Sequence, residues 1–99
     1  MIGNVVAGLF GIPTPPSVAV DYLVIAGGGG VSGSTENGGG GAGGYRTSVG
    51  TTGGGGSAES SLSLMPNVAY AITIGAGGSG ASNGTDSIFD TITSTRGVS

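Results

Sequence analysis

Glycine is concentrated in one part of this chain, and that concentration limits what the chain can fold into. Of the 30 residues from 27 to 56, 16 are glycine. The runs are 27–30, 38–41, 43–44 and 53–56. Flexible loops are the usual structure for such a composition, because it offers few side chains for a core. The runs nevertheless lie between strand-like segments, and Tyr45, Arg46 and Val49 interrupt them.

Consecutive glycines have a second option, which is ordered packing. They can form three-fold extended helices related to polyproline II, and these helices pack closely because no Cβ separates them. Backbone N–H and C=O groups then bond between neighbouring glycine segments. Of the two alternatives, ordered packing and flexible loops, we favour ordered packing.

The composition excludes much chemistry. The 99 residues suit one small domain, and they include no His, Cys, Trp or Lys. The chain therefore has no imidazole base, no thiol nucleophile, no ordinary zinc site and no lysine for a Schiff base or a P-loop. We expect a protein that is not an enzyme and that uses no cofactor or metal.

The charge balance argues against two classes of partner. Two arginines face five carboxylates, for a formal net charge of -3. Nucleic-acid binding needs a basic face that releases phosphate counterions, and anionic membranes attract basic segments. We expect neither partner. The absence of Cys also removes disulfides as a support for a small core.

Residues 1–12 are apolar and carry no charged side chain. A helical stripe of apolar residues is formed by Ile2, Val5, Val6, Leu9 and Phe10. The segment is too short to span a membrane, and it lacks the basic start of a secretory signal. A docking segment is favoured over a frayed terminus or a core strand. Residues 13–17, PTPPS, then predict a stiff linker.

Alternating apolar residues predict strands in the remainder, residues 18–99. The strongest is 18–26, in which Val18, Val20, Tyr22 and Val24 share one face. Both of its faces are mostly apolar, so we expect cover on both sides, with Asp21 at a solvated edge.

The second half predicts further strands. Residues 60–64 and 70–74 predict a hairpin around the turn 65–67, and 87–93 a last strand. The segment 75–84 between them predicts a loop, with a tight turn at Asn83-Gly84. The predicted fold class is therefore all-β: a small β-sandwich or sheet with glycine-rich, polyproline-II-like loops.

Three patterns suggest nucleotide binding, calcium binding or glycosidase activity, but the sequence does not support any of them. Glycine spacings of the dinucleotide-binding type occur often here by chance, and no helix follows any of them. Asp86 and Asp90 suggest calcium, but the repeated Gly-Asp pattern of calcium β-rolls is missing. Nothing in the sequence positions any two carboxylates as a glycosidase pair.

Four segments carry a resemblance to a known family. They are YLVIAGGGG (22–30), GGGGAGGYRTS (38–48), SSLSLMPNVAYAITIGAGG (60–78) and NGTDSIFDTITS (83–94). As a set they resemble the glycine-rich domains of bacteriophage tail fibres and related virion proteins. The head segment MIGNVVAGLFG resembles short N-termini that marine phage proteins place before different domains. The family pattern usually continues past the last strand into further glycine runs, whereas this sequence continues TSTRGVS.

The resemblance implies a structural virion protein on the particle surface, of capsid-decoration or head-fibre type. Its partners would be major capsid or tail proteins, bound through residues 1–12, and other copies of itself, which we expect to form a homotrimer. A tail-fibre adhesin that binds a host glycan or receptor is one alternative. A secreted glycine-rich surface or matrix protein is the other, although it would need an export route.

Tyr45 and Arg46 are the candidate receptor contacts. Tyr45 is the one large side chain in the segment GGGGAGGYR, and a ring beside a guanidinium suits sugar or protein recognition. The alternative is structural: Tyr45 packs on the glycine backbone, and Arg46 pairs with Glu36 or Glu59. We favour the structural interpretation.

Overall fold

Short β-strands dominate residues 16–33 and 38–99, which are the residues that the computed structural model describes. The strands are β1 (Val18–Val20), β2 (Leu23–Ile25), β3 (Tyr45–Thr47), β4 (Leu62–Leu64), β5 (Ile72–Thr73), β6 (Ser87–Phe89) and β7 (Ile92–Ser94). Gly53–Gly55 form a single 3-10 turn. The predicted all-β class is confirmed. The predicted docking segment and most of the predicted linker lie outside the described residues.

The seven strands form three small antiparallel sheets. β1 pairs with β4, β2 pairs with β3, and β5, β6 and β7 form the third sheet in that order. In the sheet that carries the candidate site, Ile25 lies opposite Tyr45 and Val24 lies opposite Arg46.

The predicted strand 18–26 is wrong as a single element. It divides at Asp21 and Tyr22, because β1 and β2 belong to different sheets. The hydroxyls of Ser48 and Ser61 both donate to Oδ1 of Asp21, at 3.0 and 2.7 Å. The Tyr22 N–H donates to the hydroxyl of Ser48 at 2.9 Å. Side chains from two distant segments therefore satisfy the polar groups where the chain changes sheets.

The predicted hairpin between 60–64 and 70–74 is also wrong. β4 pairs with β1, and β5 pairs with β6. The turn at Pro66 and Asn67 does form, with Asn67 at a positive φ of 62°. The Met65 N–H, however, donates to the Tyr70 hydroxyl at 2.7 Å. A side chain thus provides the partner that a returning strand would have provided.

The predicted last strand, 87–93, is two strands. β6 and β7 form a hairpin in which Phe89 lies opposite Ile92. The turn between them occupies Asp90 and Thr91, and Asp90 has a φ of 52°. Aspartate tolerates the left-handed region better than most residues, so it permits the reversal.

The apolar core of the described residues is small. Tyr22, Val24 and Ile92 are buried together, and the partly buried Leu62 and Phe89 pack against them. The predicted alternation in 22–25 is present, since Leu23 and Ile25 on the other face are exposed. The expected cover on both faces is therefore wrong: this strand buries only one face.

Beyond the sheets, glycine-rich segments lie side by side. We call residues 27–30, 40–44, 75–78, 82–85 and 95–98 the glycine layer. Backbone bonds join its segments: Gly29 N–H donates to Gly41 O at 2.8 Å, Gly78 N–H to Gly28 O at 2.8 Å, and Gly97 N–H to Gly27 O at 2.8 Å. The predicted tight turn at Asn83-Gly84 is wrong: the chain bends at Gly80 and Ala81, and the Gly84 N–H donates to Gly97 O within this layer. The three-fold conformation of the glycine runs stays a prediction.

Close approach explains why glycine is needed in this layer. A methyl group added to Gly27 would overlap the carbonyl oxygen of Ala76, and one added to Gly43 would overlap that of Ala26. Gly33 and Gly39, by contrast, have open space around the position that a methyl group would take. Backbone thus packs directly on backbone in the middle of the layer.

Candidate functional site

Tyr45 and Arg46 begin β3, directly after the glycine segment 40–44. Pairing with β2 places their side chains on opposite faces of a two-stranded sheet. Tyr45 lies opposite Ile25 on the exposed face, and Arg46 lies opposite the buried Val24. The two candidate residues are adjacent in the chain and differ sharply in environment.

A shallow groove of about 510 Å³ surrounds this start of β3. We call it the Tyr45 groove; it is lined by Ala42, Gly43, Gly44, Tyr45, Arg46, Gly53, Gly54, Ser94 and Thr95. Four of these nine residues are glycine, and Tyr45 is the one aromatic side chain among them. Tyr45 is 42% exposed to solvent. The groove therefore offers a flat apolar surface beside backbone polar groups.

Arg46 is engaged with its neighbours. Its Nε donates to both carboxylate oxygens of Glu59, at 3.1 and 2.9 Å, and its Nη2 donates to Oε1 as well. Its Nη1 donates to the carbonyl oxygen of Thr93 at 2.9 Å. The guanidinium thus connects β3, the segment before β4, and β7. This bidentate geometry is the strong form of an arginine–carboxylate pair.

The ion pair shifts both ionisation equilibria. Hydrogen bonding to Arg46 lowers the pKa of Glu59 below its usual value, and the same bond raises the pKa of Arg46. Burial raises the pKa of Tyr22, and the nearby negative charge of Glu59 adds to that effect. Both members of the pair therefore stay charged at neutral pH, and their charges offset each other.

A hydroxyl without a partner lies beneath the groove. Ser94 is fully buried, and its Oγ has no hydrogen-bond partner among the described residues. A methyl group added to Gly44 would lie 2.8 Å from that oxygen. Glycine at position 44 therefore leaves the space that Ser94 needs.

The arrangement suits binding better than bond-breaking chemistry. The exposed ring of Tyr45 can stack on an apolar face of a ligand, and the backbone of Gly43 can supply hydrogen bonds. The guanidinium charge is offset by Glu59, so the groove does not select strongly for an anion. An uncharged polar ligand such as a sugar fits these properties.

Of the sequence-predicted site residues, the structure brings Tyr45 and Arg46 to one groove. Arg46 pairs with Glu59, one of the two partners that the structural interpretation named; Glu36, the other, lies outside the described residues. The backbone of Tyr45 also lies against Gly53, whose added methyl group would stand 3.2 Å from the Tyr45 carbonyl oxygen. The predicted anchor side chains lie outside the described residues as well: Ile2, Val5, Val6, Leu9 and Phe10.

Sequence reasoning missed other parts of the groove. Thr93 and Thr95 come from β7 and the segment after it, which are distant in the chain. Nothing local indicates that the Thr93 carbonyl accepts from Arg46, or that the Thr95 carbonyl accepts from the Gly44 N–H. The scarcity of cations is the usable signal, because two arginines among five carboxylates are each expected to pair with one.

Residues 16–33 and 38–99 contain no helix that is long and apolar enough to cross a bilayer. Within the same ranges, no three His, Cys, Asp or Glu side chains are grouped in a way that could hold a metal ion. No protein-family model, curated protein or solved structure matches the chain.

Proposed function

We propose that this chain is a structural protein of a bacteriophage virion, of capsid-decoration or head-fibre type, displayed on the particle surface. The observation that supports this most is the glycine layer, in which five segments bond backbone to backbone. Such a layer exposes few reactive groups and holds its form without a large core. Those properties suit a projecting structural domain better than an enzyme.

Attachment to the particle is assigned to residues 1–12 in this proposal. The segment carries no charged side chain and is rich in apolar residues. The prolines at 13, 15 and 16 would hold the β-domain at a fixed distance from a capsid or tail protein. Copies of the chain would also associate with each other, and we expect a trimer.

Counting copies in purified particles tests the role. Quantitative mass spectrometry against the major capsid protein should give hundreds of copies per particle for a decoration protein. A few copies, or a few tens, would instead favour a tail appendage. Absence of the chain from purified particles would overturn the virion assignment altogether.

Deleting residues 1–12 tests the anchor. The truncated chain should remain soluble and folded by circular dichroism, and it should fail to join particles. A matched control replaces the same 12 residues by a Gly/Ser segment of equal length, which should fail in the same way. Normal incorporation of either variant would contradict the anchor.

The Tyr45 groove favours one second candidate, a tail-fibre adhesin that binds a host glycan or receptor. Tyr45→Ala removes the stacking surface and leaves the Arg46–Glu59 pair in place. Lost host adsorption with unchanged thermal stability would support recognition. Val49→Ala, at another exposed apolar position of the same loop region, is the control and should adsorb normally.

A further inference from the structure

Exposed apolar side chains are gathered along one groove of the described structure. The groove has a volume of about 250 Å³ and lies between β2 on one side and β5 with β6 on the other. Leu23, Ile25, Ile72 and Ile74 line it, and each is more than half exposed; Ile74 reaches 86%. We call these four residues the β5 face. None of the residues that line the groove is charged.

β5 also has an unpaired edge. It pairs with β6 on one side and with no described strand on the other, because it is the end strand of its sheet. Proteins that remain single usually protect such an edge with a charged residue, a proline or a bulge. Residues 60–85 contain no charged residue, and the one proline among them is Pro66. The edge of β5 is short, at two residues, but no charged residue or proline protects it.

The β5 face exposes apolar surface in a protein whose buried core is small. Among apolar residues, only Tyr22, Val24, Ala26 and Ile92 are buried in the described part of the chain. Residues 22–25 contribute Tyr22 and Val24 to the core and expose Leu23 and Ile25 on the other side. Covering Leu23 and Ile25 would remove apolar surface from water, and in a single copy that surface stays exposed.

The geometry of β5 identifies the partner that would cover the face. Ile72 and Ile74 are two residues apart, so they point to the same side of the strand. If two β5 edges pair antiparallel around Thr73, Ile72 of one copy lies opposite Ile74 of the other, and both pairs fall on one face. The edge is thus complementary to itself, as a symmetric contact between identical chains requires.

Charge supports the same partner. Each copy carries a formal net charge of -3, yet no carboxylate lines this groove. Two copies can therefore meet here without placing like charges in contact. A partner recognised through its charge would find no complementary group in the groove. We propose that the β5 face is the surface on which a second copy of this chain docks, edge to edge at β5. This inference does not depend on the virion role.

Sedimentation of the full-length wild type and of Ile74→Lys tests the proposal. The wild type should sediment as a multimer at micromolar concentration, and Ile74→Lys should sediment as a single chain with an unchanged circular dichroism spectrum. Val49→Lys places the same charge at another exposed valine, 62% exposed and away from the groove. That control should remain a multimer.

Hydrogen exchange at Ile72 provides a second readout. The Asp90 N–H donates to the Ala71 carbonyl oxygen, so the peptide groups of Ala71 and Thr73 face β6 and that of Ile72 faces the free edge. The Ile72 amide should exchange at least about tenfold faster in Ile74→Lys than in the wild type, because pairing with a second copy protects it.

Loss of a multimer with an even number of subunits in Ile74→Lys but not in Val49→Lys supports the proposal, because a two-fold contact joins copies in pairs. A wild-type trimer would support the trimer of the proposed function and would overturn this contact. A wild type that sediments as a single chain, or an Ile74→Lys multimer with a protected Ile72, would also overturn it.

Discussion

The glycine layer and the cluster around Tyr22 are neighbours that are held together by different parts of the chain. In the layer, backbone groups of segments such as 27–30 and 40–44 bond directly to one another. In the cluster, contacts between side chains hold the segments together. Tyr22, Val24 and Ile92 pack against one another, and Arg46 bonds to Glu59. One region depends on the absence of side chains, and the other depends on their presence.

The difference predicts opposite responses to substitution. The cluster can lose part of a side chain and relax around the gap, as small cores do. The layer cannot gain even one methyl group at its close contacts, because the obstacle is backbone that is itself hydrogen-bonded. The most sensitive positions of this chain should therefore be glycines rather than large apolar residues.

Gly27→Ala should have the largest effect. The added methyl group overlaps the Ala76 carbonyl, and Gly27 itself bonds to Thr85 and Gly97. We expect a loss of about 3 kcal/mol, the upper end for overpacking, because two backbone segments must move. Urea unfolding measures the loss.

Gly39→Ala is the matched control for that change. It adds the same methyl group where nothing lies within 4 Å. Its stability should be unchanged or higher by up to about 1 kcal/mol, because alanine restricts the unfolded chain. If the two substitutions changed the free energy of unfolding equally, close backbone contacts would not explain why glycine is needed in the layer.

Val24→Ala should have the next largest effect. Val24 is buried against Tyr22 and Ile92, so the truncation should cost about 2 kcal/mol. Val49→Ala makes the same truncation at an exposed site and should change the free energy of unfolding by less than about 0.5 kcal/mol. Similar losses at both positions would show that the Tyr22 cluster is not the core.

Acid should weaken the Tyr22 cluster by a smaller amount. Hydrogen bonds to Arg46 lower the pKa of Glu59, and hydrogen bonds from Ser61 and Ser48 lower that of Asp21. A carboxylate with a lowered pKa in the folded state stabilises the fold above its usual pKa of about 4, and that contribution is lost as the pH falls further. The free energy of unfolding should therefore decrease below about pH 5.

Glu59→Gln separates the contribution of Glu59 to this pH dependence from that of Asp21. Its stability should be lower at neutral pH and should fall less steeply in acid, because one of the two titrating groups is gone. The measurement is urea unfolding at a series of pH values. An identical pH dependence in wild type and variant would show that the Arg46–Glu59 pair contributes nothing.

Ser94→Ala should have the smallest effect, and in the opposite direction. Removing a buried hydroxyl without a partner should leave stability unchanged or raise it by up to about 1 kcal/mol. Ser87, which lies directly opposite Ser94 in the sheet, accepts a bond from the Gly75 N–H at 2.8 Å. Ser87→Ala should therefore cost about 1 kcal/mol, and thermal melts of both variants compare the two serines.

The sequence by itself determined the class of fold and which side chains of residues 22–25 share a face. Strand-forming residues with two-residue alternation, and glycine runs in place of helical patterns, predicted an all-β chain. The alternation in 22–25 placed Tyr22 and Val24 on one face and Leu23 and Ile25 on the other, but it did not show that only the first face is buried. These are local properties, because the direction of a side chain in a strand follows from its position alone.

The tertiary structure alone decided which segments meet. β4 could pair with a strand on either side of it in the chain, and it pairs with β1 rather than with 70–74. The break at Asp21 depends on Ser48 and Ser61, and the orientation of Arg46 depends on Glu59 and Thr93. Many segments here are short, apolar and similar, so local patterns cannot rank their pairings. The choice follows from the combined packing and hydrogen bonding of the whole domain, to which residues far apart in the chain contribute together.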